Sequence, residues 1–71
     1  MYNTTKTETE ILIQLKKNPL TKEQLAQALK NLPPSQFQNA LEGCLAKNYI
    51  TLTENQKYTI TPEGKNQVYF F

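Results

Sequence analysis

Apolar residues recur at helical spacing three times along the chain before the period changes. At about 100° per residue, Ile11, Leu12 and Leu15 form one stripe. Leu25, Ala28, Leu29 and Leu32 form a second, and Phe37, Ala40, Leu41, Cys44 and Leu45 a third. Each stripe is preceded by a hydroxyl residue followed three positions later by Glu or Gln: Thr7 with Glu10, Thr21 with Gln24, Ser35 with Gln38. That spacing is a capping box, in which the hydroxyl accepts from the N3 amide and the N3 side chain returns to the cap amide. The expected helices therefore run from Thr7 to Lys17, from Thr21 to about Leu32, and from Gln36 to Lys47. Asn18-Pro19 ends the first and Pro33-Pro34 separates the second from the third, the prolines forbidding an earlier start of the third helix.

Beyond Lys47 the period becomes two. Residues 49–53 and 57–61 are Thr-rich alternating strands, with Ile50 and Leu52 on one face and Tyr58 and Ile60 as their partners. The connection Glu54-Asn55-Gln56 needs one left-handed residue, and Asn55 tolerates that best. Thr61-Pro62 then offers a cap with proline at the first helical position, weakened by Gly64. A short helix toward Val68, Tyr69, Phe70 and Phe71 is expected, with a third strand or a tail as alternatives. Residues 1–6 are polar and aperiodic and are expected to be loose, Tyr2 alone being able to fold back on the core.

Seventy-one residues make one domain, near the size where a single core only just outweighs chain entropy. One cysteine and no histidine exclude an internal disulfide, a zinc site and His-based acid–base chemistry. With no aspartate and no paired carboxylates on one element, an enzyme is not expected. No cofactor or metal is expected either. No apolar run approaches the roughly 20 residues that span a bilayer, and the start has no signal-peptide core, so a soluble, cytoplasmic protein is expected. The net charge is only +2, from eight lysines and six glutamates. Without arginine, any nucleic-acid contact rests on lysine, amides, hydroxyls and helix N-termini.

The order of elements resembles the winged helix-turn-helix domains of prokaryotic transcription regulators. The likeness lies in the third-helix exit from Leu45 to Ile50 and in the segment Tyr58-Thr-Ile-Thr-Pro-Glu-Gly64, and it covers nearly the whole chain. It implies an α+β fold with a three-helix core, a two-stranded β-hairpin wing and a short C-terminal helix or tail. By the same likeness, Ser35, Gln36, Gln38, Asn39 and Gly43 face DNA from the third helix. Thr21 and Lys22 lie at a backbone phosphate, and Gln56 and Lys57 sit in the wing. The sequence departs from the pattern in its short, arginine-free wing and in Glu42 and Glu54 near the expected phosphates.

The resemblance implies a sequence-specific binder of double-stranded DNA that regulates transcription. An adaptor or inhibitor that binds protein through the same fold is the alternative. Amides pair bidentately with adenine while no arginine reads guanine, so an A·T-rich site is expected. Gln36, Gln38 and Asn39 equally suit the solvated face of an amphipathic helix. Cys44, Phe37, Tyr49 and Tyr58 fall at core spacing, and Lys16 and Lys17 read as a solvated helix end. A homodimer through Val68, Tyr69, Phe70 and Phe71 is expected, because four consecutive large apolar residues point around the full circle of a helix. The other reading is that two of them cover a gap beside the first helix.

Overall fold

The computed structural model describes residues 5–70, so the expectations for residues 1–4, including Tyr2, and for Phe71 lie outside the described residues. Four helices and three strands follow one another as α1 (Lys6–Lys17), β1 (Leu20–Thr21), α2 (Lys22–Ala28), α3 (Pro34–Ala46), β2 (Ile50–Leu52), β3 (Lys57–Ile60) and α4 (Pro62–Gln67). The fold is α+β. The strands form one antiparallel sheet in the order β1-β3-β2, so the sheet has one strand more than the expected hairpin.

Helix α1 starts two residues earlier than the Thr7 capping box requires. Thr5 is the cap: its Oγ1 accepts from the Glu8 amide at 3.2 Å, and Glu8 Oε1 accepts from the Thr5 amide at 2.9 Å. Two boxes are open to the sequence, and the inward stripe chooses between them. Glu8 is spaced i, i+3, i+4, i+7 with Ile11, Leu12 and Leu15, so all four share the buried face. Thr5 and Lys6 are thereby part of the ordered fold rather than a loose lead-in.

Helix α2 has its expected cap, with Thr21 and Gln24 bonded reciprocally. It ends at Ala28 instead of near Leu32; Leu25 is its buried anchor, and Ala28 is exposed. Residues 29–32 form a turn closed by the Leu32 amide on the Leu29 carbonyl at 3.0 Å. Pro33 disfavours helical geometry at Leu32, which accounts for a break before it.

The third helix corrects the expected start at Gln36. Pro33 occupies the cap position without a side-chain cap bond, and Pro34 is the first helical residue. A proline there loses nothing, since its missing N–H would have had no intrahelical partner. Ser35 is consequently inside the helix and forms no capping box; Gln38 Nε2 donates to Glu42 Oε2 at 2.8 Å instead.

At the far end, the Asn48 amide donates to Leu45 O and the Tyr49 amide to Cys44 O, with Asn48 left-handed at φ 63°. This is a Schellman closure with asparagine where glycine is usual. The hairpin makes partners of the expected residues, with Ile50 opposite Ile60 and Leu52 opposite Tyr58. Ile50 is buried, whereas Leu52 stands 48% exposed beyond the core. The left-handed loop residue is Gln56, at φ 64°, and not Asn55. Residues 53–56 make the turn closed by the Gln56 amide on Thr53 O, and in such loops it is the residue after the two turn centres that goes left-handed.

Thr61 caps α4 as expected, accepting from the Gly64 amide at 3.1 Å, and Pro62 takes the first position. Gly64 is a necessity of packing here. A Cβ on it would collide with the Tyr49 carbonyl oxygen and lie 2.8 Å from Ile60 Cγ1. The same carbonyl accepts from the Thr61 amide at 2.9 Å and cannot easily retreat. Gly64→Ala should therefore destabilise the protein by about 2 kcal/mol, the crowding outweighing the better helix propensity of alanine. Chemical denaturation checks this; a variant as stable as its parent contradicts the close packing.

Candidate nucleic-acid interface

Helix α3 buries Phe37, Ala40, Leu41 and Cys44 and leaves Ser35, Gln36, Asn39, Glu42 and Ala46 outward and exposed. Of the third-helix positions singled out from the sequence, Ser35, Gln36 and Asn39 are all exposed. Gln38 is half-buried and engaged with Glu42. Gly43 sits elsewhere: a Cβ there would collide with Glu8 Oε2, so it faces α1 and offers nothing outward.

Strand β1 gathers the remaining candidates. Thr21 lies opposite Lys57 in the sheet, which places the start of α2 directly beside the start of β3 and its preceding Gln56. Lys22, the first residue of α2, lines a surface groove whose other wall includes Pro34, Phe37 and Gln38. Thr21, Lys22, Gln38, Gln56 and Lys57 are thus linked through one sheet pairing and one groove. Lys22, Gln56 and Lys57 are exposed. The groove, together with Lys30 on its wall, has no signal in the sequence because it depends on where α2 breaks.

Behind α3, Glu8 is 4% exposed, and its Oε1 accepts from Lys47 Nζ at 2.9 Å. Burial pushes the Glu8 carboxyl pKa up, but the bonds from the Thr5 amide and the Lys47 ammonium outweigh it, leaving the pKa below its ordinary 4.5. The same bond raises the Lys47 pKa above 10.5. Cys44 is fully buried with its Sγ 4.0 Å from Glu8 O, and burial followed by the charge of Glu8 pushes its thiol up to about 12. A thiol so protonated is a packing group and a poor nucleophile. Phe37, Tyr49 and Tyr58 are likewise buried.

The C-terminal candidates divide. Val68 is wholly inside the chain's own core, whereas Tyr69 and Phe70 are 71% and 83% exposed and pack edge to face, centroids 5.0 Å apart. Lys16, expected as a solvated helix end, donates to the carbonyls of Val68 and Tyr69 at 3.1 and 3.5 Å. Among the described residues no group of His, Cys, Asp or Glu could hold a metal ion, and no helix is long and apolar enough to cross a membrane.

The chain matches no protein-family model, no curated protein and no solved structure.

The Glu8 geometry sets a pH dependence. A carboxylate whose folded pKa is depressed contributes stability that is present above 4.5 and is lost as pH falls through the lower folded value. Glu8→Gln should cost about 1 kcal/mol at neutral pH, and the gap between variant and parent should close as the solution is acidified below 4.5. Urea denaturation at stepped pH reads both; a gap that is unchanged in acid contradicts the assignment.

Proposed function

We propose that this chain is a winged helix-turn-helix protein that binds double-stranded DNA sequence-specifically and acts as a small transcriptional regulator in the cytoplasm. In this reading α3 enters the major groove, Thr21 and Lys22 meet a backbone phosphate, and the β2–β3 hairpin is the wing. The observation that carries it is the outward placement of Ser35, Gln36 and Asn39 on α3, with Lys57 held beside Thr21 by the β1–β3 pairing. Short polar side chains let a helix lie close to base edges, and the amides of Gln36 and Asn39 match the N6 and N7 pattern of adenine. Lysines supply the phosphate contacts without reading sequence.

A protein-binding role for the same fold is favoured by one observation. Glu42 stands on the outward face of α3, bonded to Gln38, and puts a carboxylate among the amides where phosphate would repel it. A gel shift against fragmented genomic DNA at low and moderate salt decides between the two, since a DNA binder retards a sequence-dependent subset and a protein adaptor none.

For the DNA reading, binding-site selection should return A·T-rich sequences. Asn39→Ala should cost about 1–3 kcal/mol at the selected site and relax preference there. Lys57→Ala should weaken all sequences alike and lower the salt slope by about one unit. G·C-rich selected sites, or an Asn39 variant with unaltered preference, would remove α3 as the reading element.

We also propose that the protein works as a homodimer, because one arginine-free recognition helix binds a single half-site weakly and two half-sites lie roughly 34 Å apart on DNA. With Val68 enclosed, Tyr69 and Phe70 are the described part of that interface. Sedimentation should give a dimer at tens of micromolar that Tyr69→Ser with Phe70→Ser dissociates without loss of stability. A monomeric parent protein rules the dimer out, and a dimer that survives both changes moves the interface elsewhere.

A further inference from the structure

Glu42 is the one charged side chain of α3, and it stands in the middle of the helix's outward stripe. At about 100° per residue, Ser35, Asn39, Glu42 and Ala46 fall within roughly 60° of one another, and Glu42 lies about 160° round the helix from the fully buried Cys44. All four are exposed. Gln36 and Gln38 flank this stripe on opposite sides. Half-buried Gln38 sits one turn before Glu42 and donates from Nε2 to Glu42 Oε2 at 2.8 Å. A carboxylate only accepts, so the amide must turn its nitrogen toward it, and the bond holds the Glu42 side chain in one orientation. Glu42 Oε1 is left without a partner among the described residues.

We infer that Glu42 determines specificity by reading a cytosine, its free oxygen accepting from the cytosine 4-amino group in the major groove, and that Gln38 is a positioning residue that orients it; both roles rest on the DNA reading of α3. The base edges themselves select the base. In the major groove guanine presents two acceptors and thymine an acceptor beside its methyl, and both repel a carboxylate; adenine sets an acceptor next to its amino donor, and cytosine offers a donor alone. A helix lying in the groove turns its outward stripe to the bases and its flanks toward the phosphates. A carboxylate in the middle of the stripe therefore meets bases, while one on a flank meets like charge. Glu42 thus has a favourable place against DNA only at a base edge. Asn39 and Glu42 are three residues apart, about 4.5 Å along the helix, against roughly 3.4 Å between successive base pairs. The cytosine accordingly lies one or two steps from the adenine that Asn39 reads, a single C·G pair inside an A·T-rich site. Gln38, engaged with Glu42, is not a bidentate reader of adenine.

The test is binding-site selection from random duplexes with the full chain and its Glu42→Gln, Glu42→Ala and Gln38→Ala variants, followed by affinity measurements on the selected sites. Glu42 is exposed, so its replacement should leave the fold intact, which thermal denaturation checks for all three variants. Sites selected by the parent should hold one fixed C within two steps of the base that Asn39→Ala relaxes, and changing that C should weaken binding about tenfold. Glu42→Gln should move the preference at that position alone from C to A, since an amide matches adenine. Glu42→Ala should leave the position unread. Gln38→Ala should blunt the preference for C there without shifting it to another base, an effect on base choice that a purely structural role does not give. Selected sites with no fixed C in that window overturn the inference and leave the DNA reading standing, as does a fixed C that Glu42→Gln retains. A Glu42→Ala protein that binds every duplex more tightly with unaltered preference also overturns it, because that is the mark of a carboxylate facing phosphate. If the parent retains no duplex at all, the DNA reading fails and the role of Glu42 fails with it.

Discussion

The Glu8 carboxylate is the constraint on which the placement of α3 depends. It accepts from the Thr5 amide and so fixes where α1 begins; it accepts from Lys47, one residue beyond α3; and it fills the space above Gly43. A carboxylate loses several kcal/mol of hydration when buried alone, and only a full set of donors makes such a position tolerable. Lys47 is partly exposed, so water dilutes its attraction, and the bond from the Thr5 amide does more to keep the carboxyl charged. Together they hold the start of α1 against the end of α3, leaving the outward face of α3 determined by packing rather than by loop geometry.

From that junction the order propagates through backbone groups. The Schellman closure at Asn48 aims Tyr49 O at the Thr61 amide, Thr61 Oγ1 donates to Asn48 O at 2.7 Å, and Gly64 packs on the same turn. Helix α4 thereby delivers Val68 to the core, and Lys16 fastens the following carbonyls to the end of α1. The exposed Tyr69 and Phe70 are held on a short tether from an enclosed valine, which keeps them in place without giving them a core of their own.

Where a local rule and the burial pattern agree, the sequence is legible. Ile11, Leu12 and Leu15 inward, the Thr21–Gln24 box, the partnership of Ile50 and Leu52 with Tyr58 and Ile60, and the Thr61 cap all follow from spacing alone. It misleads where two local rules compete and a distant contact decides. Thr5 displaces Thr7 as the cap because Glu8 has a partner 39 residues away, and Pro34 displaces Ser35 because proline is as good at the first helical position as serine is at the cap. Strand β1 is two residues long, too short for any period, and exists only through its pairing with β3. Yet β1 is what sets Thr21 beside Lys57, so the joining of the candidate surface is the least legible part of it. Helical angle alone puts Gly43 outward; it lies at the edge of the buried stripe, where the neighbouring element determines the side.

The central claim is that the face formed by α3, the start of α2 and the hairpin contacts duplex DNA, and amide NMR of the labelled protein with a selected A·T-rich duplex at low salt tests it most directly. The account predicts that Ser35, Gln36, Asn39, Lys22, Gln56 and Lys57 shift together and saturate at one stoichiometry, while α1 and α4 stay put. Shifts concentrated on α1 or α4, or none at all at a tenfold excess of duplex, would contradict it.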